Sequence, residues 1–253
     1  MYRYLLYPLI VMVLSSTLQA ASIRSQVSLL EASENIRLGS QQIVVTYLSY
    51  YLNPKKRYRR DLALKKLKEL EKQFELIDRS MKDEESRDVL NFLYYSREKM
   101  LKLIQEPIEG GNPHKILEYS EILLKAADSI TRELGYTLSE DEKMLIKMKD
   151  ISFLMEKMTK SYLLLQTDKN SASYMSMVKS TIAEMDKALI LLDDYNYSAK
   201  SLLILSKLHK NWKGIKPYYL KESDIEIENI LLLASKQIEK NSLLLEKYHS
   251  KNQ

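Results

Sequence analysis

Cysteine is absent from this 253-residue chain, and glycine and proline number five each. The lack of cysteine excludes a disulfide, a thiolate metal site, a cysteine nucleophile and a lipid-modified cysteine. So few helix breakers leave room only for short, sparse loops. Histidine is nearly absent as well: His114, His209 and His249 stand apart, with no His-x-x-x-His or Glu-x-x-His pair, so no metal centre is expected. No Gly-rich phosphate loop and no Gly-x-Ser-x-Gly occurs. Paired acids such as Asp193-Asp194 fall at expected helix ends, where turn and dipole effects account for them. No catalytic residue and no cofactor is therefore expected, and the chain reads as a non-enzyme. A buried convergence of three or more ionisable side chains would reopen that question. Phenylalanine is scarce, three residues against eighteen tyrosines, several of them clustered as Tyr47, Tyr50 and Tyr51, Tyr94-Tyr95 and Tyr218-Tyr219. Such tyrosines line a groove or partner surface, or pack a bundle with the hydroxyl in water.

What is present is the vocabulary of helices: Leu, Lys, Glu and Met in quantity, and few stretches with a period of two. Residues 1–20 read as a secretory signal, with Arg3 at the start, an apolar stretch from Leu5 to Leu14 and a small, polar end up to Ala20. Cleavage after Ala20 or Ala21 would place the protein in the periplasm; an uncleaved N-terminal anchor is the alternative. The apolar stretch is short beside the roughly 20 residues that cross a bilayer. Later apolar runs are broken by charges, so no membrane span is expected after cleavage. The net charge is +5, with Lys and Glu interspersed. The one basic cluster is Lys55, Lys56, Arg57, Arg59 and Arg60 around Tyr58. It reads as the solvated start of a helix, or as a contact for an anionic partner. Nucleic acid is not expected as a partner of an exported protein.

Apolar periodicity and punctuation predict eight helices, over about 22–52, 58–81, 85–105, 114–134, 139–165, 171–192, 198–216 and 223–248. Pro54 ends the first, Pro107 to Pro113 separate the third from the fourth, Gly135 is a candidate left-handed stop, and Pro217 ends the seventh. Ser139 with Glu142, and Ser223 with Glu226, have capping-box spacing. In the second helix Ala63, Leu67, Leu70, Phe74, Ile77 and Met81 recur at steps of four and three, a seam for near-parallel packing. Phe92, Met177, Leu202 and Ile230 are among the residues expected to face inward on the third, sixth, seventh and eighth helices. The last three residues are expected to fray.

The first half resembles the second. A shift of 110 lays Ile36, Val44, Val45 and Leu48 on Ile146, Leu154, Met155 and Met158, and Pro107 and Pro217 are also 110 apart. A shift of 115 aligns the second helix with the sixth, and one of 108 the fourth with the eighth. The expected architecture is all-α: two tandem up-down-up-down four-helix bundle units of long antiparallel helices, over 21–137 and 138–253.

Gly39-Ser40-Gln41-Gln42-Ile43-Val44 and the stretch Phe153-Leu154-Met155-Glu156-Lys157-Met158-Thr159-Lys160-Ser161-Tyr162-Leu163 carry a family likeness. The chain resembles the N-terminal sensor modules of type IV pili methyl-accepting chemotaxis transducers and nitrate/nitrite sensor kinases. The family mark is Gly-Arg-Gln-Arg-Met-Leu-Ser-Gln-Arg followed by Met-Ala-Lys-x-Tyr-Leu. Trp212 resembles the tryptophan late in that family's third helix. The resemblance implies a helical sensor fold over about 22–248. In the kinases, paired arginines on the first helix hold an oxyanion; here Ser40 and Gln42 stand in those places, and Asp150 and Ser152 in the second copy. The resemblance therefore implies sensor-like ancestry without nitrate binding. Gly39, Ser40, Gln41 and Gln42 are the candidate ligand contacts, because a mid-helix glycine permits close approach and the other three offer neutral hydrogen bonds. Their alternative is a wet helix face. The expected function is an exported, non-enzymatic, sensor-like module that binds a small ligand or a partner protein in the cell envelope. The alternative is a structural or assembly protein of the bacterial envelope with no small-molecule ligand; an envelope protein or a second copy of the chain would be its partner.

Overall fold

A computed structural model describes residues 6–80, 84–133, 137–167, 172–221 and 225–252, with most side chains from residue 26 onward. The described residues form α1 (Leu6–Leu52), α2 (Arg57–Ser80), α3 (Glu84–Gln105), α4 (Asn112–Glu133), α5 (Glu140–Thr167), α6 (Ala172–Asp193), α7 (Ala199–Ile215), a 3-10 turn (Lys216–Leu220) and α8 (Ile225–Asn252). There is no strand among them, and the fold is all-α.

The helix ends follow local chemistry. Asn53-Pro54 stops α1, and the Asn53 N–H donates to the Tyr50 carbonyl. At α5 the Ser139 N–H donates to the Glu142 carboxylate at 2.7 Å, and the Glu142 N–H donates to Ser139 Oγ at 3.3 Å, a closed capping box. Ser198 caps α7 by accepting from the Ser201 N–H. Pro217 turns the end of α7 into the 3-10 turn. The Ser223–Glu226 box, the Gly135 stop and Met81 lie outside the described residues. Two ends differ from expectation. The first helix is described from Leu6 and runs unbroken through the apolar leader to Leu52. The last helix continues to Asn252, and of the expected frayed tail only Gln253 lies outside the described residues.

Antiparallel order is visible in the bonds between helices. Partners step up α1 as they step down α2: Asn35 with Gln73, Gln42 with Lys66, Ser49 with Arg59. Glu71 with Arg97 and Phe74 against Tyr94 tie α2 to α3, Tyr95 against Tyr119 ties α3 to α4, and Ser33 donates across to the Ala127 carbonyl of α4. In the second half, Lys157–Glu184 joins α5 to α6, Asp186–Trp212 joins α6 to α7, and Glu156–Ser235 joins α5 to α8. One apolar core is built from α1 to α4, around Ile36, Ile43, Leu67, Phe74, Leu93 and Ile104. The other is built from α5 to α8, around Met148, Met155, Met158, Met185, Leu208 and Leu231.

The halves meet through α1 and α5. Both lie antiparallel to α8, so they run parallel to each other: Asn35 meets Lys149, and Arg37 meets Asp150. α1 packs against α2, α4 and α5, and α5 packs against α6, α8 and α1. Each is therefore enclosed on nearly every side, whereas α2, α3 and α4 show a single buried stripe. Where the two central helices meet their neighbours, polar residues are buried: Glu34, Ser40, Gln41 and Gln42 on α1, and Lys149, Ser152, Glu156 and Lys160 on α5. Phe92, Met177, Leu202 and Ile230 are exposed rather than inward. On these helices small polar residues hold core positions, Ser96 on α3, Thr181 on α6, Ser201 on α7 and Ser235 on α8, and apolar spacing alone misses them. No helix among the described residues is long and apolar enough to cross a membrane.

Candidate functional site

The short Asn53–Lys56 connection brings the start of α2 back over the end of α1. Residues at helical spacing on α2 (Arg59, Leu62, Lys66) then face Gln42, Val45, Thr46 and Ser49 of α1. α8 closes the far wall with Asn229, Leu232, Leu233, Ser235, Lys236 and Glu239, and Glu156 of α5 forms the floor. The cavity, partly open to solvent, is about 430 Å³, within the range of small-molecule sites.

Three hydrogen-bonded groups organise its walls. Arg59, 4% exposed, donates to the Ser49 carbonyl at 2.8 Å, to the Glu228 carboxylate and to Asn229 Oδ1 at 3.0 Å. Ser49 Oγ also donates to Glu228, at 2.6 Å, so this buried carboxylate is paired and solvated by protein. Lys66 Nζ donates to Gln42 Oε1 at 2.6 Å, and Gln42 Nε2 donates to Glu239 Oε1 at 2.6 Å, which relays a cation to a carboxylate through one amide. At the floor, Ser235 Oγ donates to Glu156 Oε1 at 2.7 Å. The other oxygen, Glu156 Oε2, is buried and has no partner among the described residues. Burial, and after it the Glu239 carboxylate, push Glu156 up to about 7; the Ser235 hydrogen bond, Lys66 and Lys236 pull the other way. The site thus has an acidic floor, a basic rim of Lys56, Lys66 and Lys236, and apolar flanks.

Of the four residues proposed from sequence, only Gln42 lines this cavity. Gly39 packs against α2 so closely that a Cβ there would lie 2.5 Å from Leu70 Cδ2. Ser40 is fully buried, donates to the Arg37 carbonyl and accepts from Gln41 Nε2. Gln41 is fully buried with Oε1 unpartnered. None of the four is exposed, so the wet-face alternative does not hold. The basic cluster divides: Lys55, Arg57 and Tyr58 are exposed, whereas Arg59 is buried against Glu228. Sequence reasoning missed Glu156, Glu239, Ser235 and Lys66. A signal existed for the first: Lys149, Glu156 and Lys160, at steps of seven and four, fall on one face of α5 among Ile151, Leu154, Met155 and Met158.

Arg37, just before Gly39, is already committed to carboxylates. Arg37 donates to both oxygens of Glu34 at 2.8 and 2.9 Å, approaches Asp128 and Asp150 at 3.5 and 3.4 Å, and lies over the Phe153 ring. Three acids already surround it. A second ionisable cluster closes the end of the α5–α8 unit. His249, fully buried, contacts Asp141 Oδ1 through Nδ1 at 3.1 Å and Tyr197 Oη through Nε2 at 3.0 Å, and Tyr195 Oη donates to the same Asp141 oxygen at 2.6 Å. Burial holds His249 below its ordinary value, against the pull of Asp141. With both ring nitrogens engaged, His249 has no lone pair for a substrate; the cluster is a clasp between α5, the α6–α7 connection and α8. No three His, Asp or Glu side chains among the described residues gather into a metal site.

No protein family, no curated protein and no solved structure matches the chain at a significant level.

Proposed function

We propose that the protein is a non-catalytic, ligand-binding helical module, and that its ligand occupies the cavity between α1, α2 and α8. The observation that carries this is Glu156 Oε2, a buried carboxylate oxygen with no partner among the described residues, on the floor of a space of about 430 Å³. Leaving such a group unsatisfied costs about 1–3 kcal/mol or more, which a donor from a bound molecule would recover. The site holds ionisable groups, but no histidine lines it, so neither Ser49 nor Ser235 has the imidazole base of a serine triad there. That favours binding over chemistry. The leader, with its basic start and apolar stretch, supports export and a periplasmic module of the sensor type. Thermal-shift screening of the purified protein against a broad panel of metabolites tests the reading. A stabilising ligand whose effect is lost in Glu156→Gln supports it; silence across the panel counts against it.

A second reading, an envelope assembly protein, draws on exposed aliphatic side chains of the second half. Leu202 and Leu203 on α7, and Leu243 and Leu244 on α8, are exposed, and exposed leucines in such number favour contact with another protein or a second copy. Sedimentation of the parent protein and of Leu203→Lys would separate the readings, since only a protein-contact surface makes association depend on that residue.

A further inference from the structure

The ligand's chemistry can be read from the charge layout of the cavity, granted that the cavity is the ligand site. Two carboxylates face it, Glu156 from below and Glu239 from the α8 wall. Neither is ion-paired among the described residues: Glu156 accepts only from Ser235, and Glu239 accepts from the Gln42 amide. Three lysines line it: Lys56 donates to Asn229 Oδ1 at 3.2 Å, and Lys66 from α2 and Lys236 from α8 are the two ammonium groups that act on Glu156. Lys66 is held by the Gln42 carbonyl oxygen, and neither lysine forms an ion pair among the described residues. The buried lining cation, Arg59, is already matched by Glu228. Val45, Leu62 and Leu232 supply apolar wall between the polar groups.

This layout disfavours molecules of one sign. A simple anion would reach the lysines but bring its charge toward an unpaired buried carboxylate. A simple amine or polyamine would satisfy the floor but must pass Lys236 and Lys66. A neutral alcohol would give Glu156 Oε2 a hydrogen bond and leave Glu239 and both lysines without counterions. We propose that the ligand is a small zwitterion of the amino-acid class, its ammonium donating to Glu156 Oε2 and Glu239 and its carboxylate received by Lys66 and Lys236. Ammonium–carboxylate contacts of this kind are the stronger, shorter class of hydrogen bond. They gain further from the low-dielectric floor.

The titratable groups facing Glu156 are Lys66 from α2, Lys236 and Glu239 from α8, and Tyr219 from the 3-10 turn. Glu156, pushed up to about 7 by its burial, is poised to change charge near neutrality. An ammonium therefore binds best once Glu156 has lost its proton, so affinity rises between pH 6 and pH 8 and binding releases protons. Isothermal titration of the whole chain with glycine, 4-aminobutanoate, 6-aminohexanoate and the twenty L-amino acids, against butylamine, butanoate and butanol, tests this. At least one zwitterion is expected to bind about tenfold or more tightly than each single-function probe. Glu156→Gln should weaken it about tenfold and flatten its pH dependence; Lys236→Gln, an exposed change that spares the core, should weaken the zwitterion but not butylamine. Butanoate, butylamine or butanol binding as tightly as every zwitterion overturns the zwitterion assignment and leaves the cavity a ligand site. Failure of all these probes also overturns the assignment, and the ligand-site reading falls with it only if the wider metabolite panel is silent too.

Discussion

At pH 8 Glu156 must carry its charge inside the protein. Its folded value of about 7 lies above its ordinary 4.5, so between those limits the folded protein holds a proton that the unfolded chain has released. The sign follows: stability contributed by the protonated group is present below about pH 4.5 and is lost as pH rises through 7. The loss is about 3 kcal/mol in order of magnitude. Glu156→Gln keeps an acceptor for Ser235 and cannot ionise. Urea unfolding is expected to find the variant more stable than the parent by roughly 2–3 kcal/mol at pH 8, and equal to it at pH 4.5; a difference that ignores pH would show that the carboxylate is solvated. Arg59 presents the opposite case, a buried charge that is paired. Arg59→Met strands Glu228, itself 2% exposed, and should cost about 3–5 kcal/mol. Removing both charges, as Arg59→Met with Glu228→Met, should recover most of that loss in a double-mutant cycle.

The long central helices explain what could and could not be read from the chain. The α2 stripe from Ala63 to Ile77 and the Ser139–Glu142 cap were legible, because one buried face and one cap each leave a local pattern. On α1 and α5 the pattern fails. Each is enclosed by three helices, so polar residues such as Gln41 and Glu156 are buried without interrupting any single stripe. The cavity needed α8 to face α1 across nearly two hundred residues of sequence, and no local rule supplies that pairing. Gly39 was legible as a place of close approach, and the side chain that approaches it is Leu70 of α2. Gly39→Ala gains about 1 kcal/mol of helix propensity. It also forces a methyl onto Leu70, a buried side chain that must shift to admit it, at about 1–3 kcal/mol. A net loss of about 1 kcal/mol is expected in thermal or urea unfolding. Trimming Leu70 to Val in the same chain should make the pair less damaging than the sum of its parts.

For the whole molecule the question is whether two four-helix rings behave as one folding unit. Their junction is polar: Arg37 with Asp150, Lys149 with Asn35, and Lys160 with Glu121 cross it. Such contacts select a register more than they add stability. Against that, the apolar packing does not respect the boundary. Leu163 and Leu164 of α5 lie in the first core, and Leu232 of α8 packs against it. Separating the halves would expose these side chains, remove one wall from α1 and from α5, and open the cavity, whose lining comes from both. The expected outcome is a single cooperative transition for the intact chain, with calorimetric and van't Hoff enthalpies in agreement. Residues 21–137 and 138–253 made as separate fragments should each melt at lower temperature and with less cooperativity, and mixing them should restore part of the parent's stability. If the second fragment alone melts like the intact chain, the α1–α5 contact is only a docking surface between independent domains.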